Sequence, residues 1–408
     1  MNAKRAPLLR ATLTLMAGGA LAQALPLLLG PLLTRLYSPQ QFGLYHLFAA
    51  VAANLAVVAC ARYEHALPLA RDDAEADALV ALCRRILLAV IGLCALLAVA
   101  WAVLSAQLWP LWLPAAVGAF GLLSLATLAA LRAQRFGALA TSRVLQHGGG
   151  AALQAVAGAA GAGLWGLIVA PIAAALAATA WLQPRLQQGA DLPRAALAAV
   201  ARRHRDFPLL NTPHAFMGAL QDTLAVALIA AVQGPAAAGF WGLALRYLKA
   251  PATLVGGAVS QALYPALAAG GAASEEGRAA VRRVLRALLL LAAPLVLALW
   301  LFAPAAFAAA FGERWREAGE LARALALYIG MHFVASPLSV VTMAWGAQAW
   351  ALKLSLIGQT LFVAALAAGL AIDGLTAAGW AVSAAMSLYF GWFFWKLATW
   401  PVPTPQPA

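Results

Sequence analysis

Long apolar runs separated by short polar stretches dominate the chain. About twelve of them are long enough to cross, or nearly cross, a hydrocarbon core that takes about 20 helical residues. The expected spans are 11–33, 44–67, 86–106, 111–131, 144–161, 164–183, 208–231, 236–264, 285–307, 322–343, 350–371 and 375–397. The two between 208 and 264 break the apolar pattern most often, because they hold Pro208, Pro213, Pro235 and Pro251 together with Asp222, Arg246 and Lys249. The pattern predicts an all-α integral membrane protein.

Composition strengthens that reading. Of 408 residues, 64% are hydrophobic and 10% charged, where a water-soluble domain carries about 25% charged residues. The net charge of +13 raises nucleic acid as a partner. No basic patch interleaved with aromatics and no zinc-finger or ribonucleoprotein motif accompanies it, so no nucleic-acid partner is expected. The basic residues sort by side instead. With the N-terminus in the cytoplasm, most of the 27, among them Lys4, Arg5, Arg10, Arg84, Arg85, Arg202 and Arg203, fall on cytoplasmic ends and loops. The opposite face receives Arg35, Arg314, Arg316 and Arg323. This positive-inside asymmetry predicts an even number of crossings with both termini cytoplasmic. The first apolar run continues through Leu33, longer than a signal-peptide core, and is read as a retained span. Cys60, Cys83 and Cys94 have no paired metal-ligand spacing, so neither a disulfide scaffold nor a metal site is expected from them.

A short internal repeat organises the spans. Pro39-Gln40-Gln41-Phe42-Gly43-Leu44-Tyr45 follows the first span, and Pro235-Ala236-Ala237-Ala238-Gly239-Phe240-Trp241 follows the seventh, with proline, glycine and aromatic in one order. Two parallel six-helix halves around a central cavity follow, related by an axis along the membrane normal. The halves are 1–183 and 208–408, joined by a basic cytoplasmic connection over 184–207.

Ionisable groups inside spanning segments are costly and mark function. Arg35, Arg62, Arg246 and Lys249 are the candidate ligands for an anionic headgroup, since arginine offers a planar donor fork and lysine a mobile charge. Three residues separate Arg246 from Lys249, which puts them on one helix face. Glu64 and Asp222 are candidates for cation coupling or for structural ion pairs, Glu64 with Arg62 and Asp222 with Arg246. Trp241 and Tyr247 are candidate faces for sugar rings, although aromatics also anchor membrane interfaces. The six histidines form no ligand cluster in sequence.

The residues also carry a family resemblance. Gly30-Pro31-Leu32-Leu33-Thr34-Arg35-Leu36-Tyr37-Ser38-Pro39-Gln40-Gln41-Phe42-Gly43-Leu44-Tyr45 resembles the opening of bacterial polysaccharide flippases of the O-antigen translocase type. These belong to the multidrug/oligosaccharidyl-lipid/polysaccharide exporter superfamily. Arg62 to Ala70, Asp72 to Ala76, Phe207-Pro208, Tyr264-Pro265, Phe311 to Trp315 and Ser336 to Ser339 are similar to later stretches of that family, in order. The resemblance implies a flippase for an undecaprenyl-pyrophosphate-linked oligosaccharide, moving it from the cytoplasmic to the periplasmic leaflet of the bacterial inner membrane by alternating access. It implies no bound cofactor, a proton or sodium gradient as drive, and membrane lipids and a glycosyltransferase or polymerase assembly as partners. A related cation-coupled exporter of drugs or of another lipid-linked precursor is the first alternative. A membrane glycan polymerase or ligase is a second, disfavoured because the longest expected periplasmic loop, around 308–321, is too short for a catalytic domain.

Overall fold

The computed structural model describes residues 5–182, 192–268 and 274–401, and those residues are helical almost throughout. Residues 184–191 of the expected connection, and both chain ends that the charge argument assigns to the cytoplasm, lie outside the described residues. Contacts divide the chain into two compact units, Met1–Thr223 and Leu224–Ala408, with the boundary inside a helix.

Unit 1 opens with α1 (Arg5–Leu36) and α2 (Pro39–Val57). A capping box starts α2. The Gln41 N–H donates to Ser38 Oγ at 3.3 Å, the Ser38 N–H donates to Gln41 Oε1 at 2.9 Å, and Pro39 holds the first helical position. The expected second span 44–67 does not run through as a helix. It stops at Val57, turns with Ala61 at φ 48° and Arg62 at φ 61°, and continues as a 3-10 helix over Tyr63–Leu69. Two successive left-handed residues cannot belong to an α-helix, and Pro68 has no N–H to extend one. Then come α3 (Asp73–Ser105), α4 (Leu113–Arg132), α5 (Phe136–Val144) and α6 (Gly150–Ala159), the last two joined by a π-turn over Leu145–Gly149. The fifth apolar segment therefore begins at Phe136, earlier than its apolar pattern indicates. α7 (Gly163–Leu182), the short α8 (Arg194–Arg203) and a π-turn over Phe207–Asn211 lead into α9 (Thr212–Gln233).

Unit 2 continues with α10 (Pro235–Leu248) and α11 (Ala250–Ala268), where one span over 236–264 is expected. The break falls at Lys249 because Pro251 in the first turn of α11 lacks a donor for the preceding turn. α12 (Glu275–Phe311), α13 (Arg316–Ala324), α14 (Ala326–Ala344) and α15 (Gln348–Ala398) complete the chain. Gly374, at φ 73° and ψ −153°, bends α15 into two helices. Few residues other than glycine tolerate that backbone conformation.

Leu96, Val103 and Leu104 of α3 and Leu290, Leu297 and Phe302 of α12 stand exposed along whole helix faces. Water would penalise such faces and lipid does not. Among the described residues, eight helices are long and apolar enough to cross a membrane. The protein is a multi-pass integral membrane protein.

Candidate functional site

The left-handed turn at Ala61 and Arg62 makes a corner between α2 and α3. The 3-10 helix that follows packs on α3, on α4 and on the π-turn before α9. Arg132 clasps the far end of this corner, donating to the Ala70 carbonyl at 2.6 Å and pairing with Asp73 at 3.0 Å. Arg62 is half-buried and its Nε donates to Asn211 Oδ1 at 3.1 Å. The guanidinium thus leans on the π-turn, and the expected partner Glu64 points elsewhere. Glu64 is 2% exposed; its Oε1 lies 3.7 Å from His65 Nε2, while its Oε2 accepts no hydrogen bond.

A second buried carboxylate, Glu75, closes the first turn of α3, ahead of the expected span 86–106. The Arg71 N–H donates to its Oε2 at 2.9 Å, and Arg203 at the end of α8 and His204 just after it both reach its Oε1 at 3.0 Å. The backbone hydrogen bond from Arg71, then those from His204 and Arg203, hold this carboxyl down at about 2. Pattern reading gives Glu75 no special place, because its partners come from a helix more than a hundred residues later.

The other candidates are dispersed. Arg35 is exposed just before α2 and Arg62 follows its far end, so the helix separates them by about 28 Å at 1.5 Å per residue. Asp222 is exposed on the part of α9 that belongs to unit 1. In unit 2, Arg246 occupies the last turn of α10, and the Lys249 N–H still donates to the Leu245 carbonyl at 3.0 Å. That bond prolongs the helical turn and keeps Arg246 and Lys249 on one side. Trp241 is 2% exposed, its indole 6.1 Å from the Phe362 ring. Phe362 meets Tyr328, which stacks on Phe390, so Trp241 belongs to a packed aromatic core. Tyr247 is half-buried with its ring 4.7 Å from that of Phe311. Tyr37 is fully enclosed and donates to the Gln154 carbonyl at 2.6 Å.

Two of the three free cysteines meet a carboxylate in the fold. A carboxylate oxygen of Glu64 and the sulfurs of Cys60 and Cys83 all lie within 4.8 Å of one another, and all three residues are buried. Sequence spacing hides this cluster because Cys83 enters from α3, on the far side of the corner.

The family profile described as "Polysaccharide biosynthesis protein" matches residues 32–320. The chain belongs to this family. The fold is shared with a solved membrane transporter of the MOP superfamily and with other solved transporters. An inward-facing multidrug resistance MATE family transporter of that superfamily aligns with a TM-score of 0.69 at 13% identity, covering 92% of this chain and 93% of the other. The lipid II flippase MurJ, in an inward closed conformation, aligns at 0.67 and 11% identity over 94% and 89%. A MATE transporter from Vibrio cholerae aligns at 0.55 and 16% identity over 96% and 95%. No curated protein matches.

Proposed function

We propose that this chain is a flippase that carries an undecaprenyl-pyrophosphate-linked oligosaccharide from the cytoplasmic to the periplasmic leaflet of the bacterial inner membrane. The carrying observation is the family match over residues 32–320 on a chain with a MOP transporter fold. In this proposal twelve crossings form two six-helix lobes, both termini are cytoplasmic, and the lobes expose a chamber to each side in turn. The hydrated glycan and the pyrophosphate avoid the hydrocarbon, where unpaired charge and unsatisfied hydroxyls are costly. The polyprenyl tail stays in lipid. Arg62 and Arg246 take the pyrophosphate, with Lys249 beside Arg246, because each is a fixed cation within an apolar chain, and Arg35, at the other end of α2 from Arg62, meets the substrate at a different stage of its passage. Tyr247, which is half-buried, acts near the sugars, while the enclosed Trp241 supports the fold around it, and Glu64 or Asp222 couples transport to a proton or sodium gradient. Glycosyltransferases or a polymerase assemble beside it.

A second reading has its own support. The MATE relatives share the fold, and a cation-coupled exporter of drugs or of another lipid-linked precursor would use the same architecture. Reconstitution separates the two. Purified protein in vesicles is given a fluorescent lipid carrying phosphate, pyrophosphate or pyrophosphate-linked oligosaccharide, and in parallel a cationic dye, under gradients of H⁺ or Na⁺. The flippase reading expects leaflet exchange of the pyrophosphate-linked glycan and no dye accumulation. Dye transport without lipid movement would favour the exporter.

A further inference from the structure

We propose that Cys60, Glu64 and Cys83 form a binding site for a thiophilic divalent cation of the Zn²⁺ class, at the corner between α2 and α3. Three buried ligand atoms of suitable chemistry lie within 4.8 Å of one another. Zn²⁺ favours such a set, with Zn–S about 2.3 Å and Zn–O about 2.0–2.2 Å in tetrahedral geometry. Those bonds place neighbouring ligand atoms about 3.6–3.8 Å apart, so closure requires shifts of about 1.2 Å at most.

Independent features of Glu64 point to a ligand. Its side chain is 97% removed from solvent, and Oε2 has no hydrogen-bond partner. A buried acceptor without a donor is costly, and a cation satisfies it. Backbone geometry agrees. The strained residues Ala61 and Arg62 lie between the two ligands Cys60 and Glu64 and bring them to the same side of the turn. Charge balances as well. On binding, both S–H bonds break, two sulfur–metal bonds form and the two protons pass to water. Two thiolates, a carboxylate and a divalent ion sum to −1, which the neighbouring Arg62 guanidinium offsets. The ion would tie the end of α2 to α3 and fix the turn that presents Arg62. The site does not depend on the cargo, but an ion held by Glu64 would leave Asp222 as the coupling group of the proposed transport.

The test uses full-length protein in detergent, stripped by a chelator and titrated with Cd²⁺ while thiolate-to-metal charge-transfer absorption and bound metal are recorded. A single ion per chain with that absorption is expected. Cys60→Ser and Cys83→Ser should each weaken binding by more than about 10-fold, since even an outer partner of a ligand costs that much. Glu64→Gln should weaken binding while keeping the absorption, and Cys94→Ser should leave both unchanged. Should a variant fail to fold, the wild type decides alone: Zn²⁺ should slow alkylation of Cys60 and Cys83 by N-ethylmaleimide and spare the rate at Cys94. Absent charge transfer, absorption retained in both serine variants, or equal alkylation with and without Zn²⁺ would overturn the site.

Discussion

Between α2 and α3, unit 1 buries two carboxylates, Glu64 and Glu75, and spends backbone strain and hydrogen bonds to hold them. In unit 2, α10 and its neighbours bury Trp241, Phe362 and Tyr328 in one ring cluster and Trp315 against Phe240, with no buried acid among the described residues. Both regions follow a short Pro-Gly-aromatic stretch of the same form, yet their interiors differ in kind. A buried ion depends on particular partners and on pH, whereas an aromatic core depends on volume and edge-to-face contact. Substitutions should therefore fail for different reasons in the two units.

The largest contrast comes from Trp241→Ala, which should destabilise unit 2 by about 3–5 kcal/mol through the cavity it leaves. Trp241→Phe should recover much of that, read as the unfolding temperature in detergent at several pH values. Glu75→Gln should cost about 1–2 kcal/mol, less than a fully enclosed ion pair, because Arg203 is half exposed and solvent screens it. Its pH dependence distinguishes it. The folded carboxyl sits at about 2, below the ordinary 4.5, so its stabilisation is full above about 4.5 and is lost as pH falls through about 2. Glu75→Gln should flatten stability across that window, while Trp241→Ala should leave its shape unchanged. The smallest effect falls at the repeated helix starts. Ser38→Ala removes the cap of α2 and should cost about 1 kcal/mol. The start of α10 has no side-chain cap, only Gly234 at φ 84° before Pro235, so alanine at Gly234 should act through backbone strain instead.

Legibility in sequence follows the same division. Helical segments and lipid-facing surfaces were readable because long apolar runs leave few alternatives, as in α3 and α12. The expected span starts at 44 and 236 fall five residues after the start of α2 at Pro39 and one after the start of α10 at Pro235. The corner at Ala61 and Arg62 was not readable, since neither residue type signals a left-handed turn. Pro251 did carry the α10–α11 break, but the surrounding apolar pattern outweighed it. Arg35 and Arg62 looked like one group because both are cations near the first helices, and only the intervening length of α2 separates them. Glu75 with Arg203 and His204, and Cys60 with Cys83, join segments distant in sequence, where periodicity holds no information about pairing.

The central claim, transport through fixed arginines, is most directly tested by leaflet exchange of a pyrophosphate-linked oligosaccharide in vesicles holding wild type, Arg62→Gln, Arg246→Gln or Lys353→Gln at equal insertion. Exchange should fall at least about 10-fold in both arginine variants, as expected when a charge-assisted phosphate contact is lost, and change little in Lys353→Gln. Wild-type exchange matched by both arginine variants, or no exchange by the wild type under either cation gradient, would contradict it.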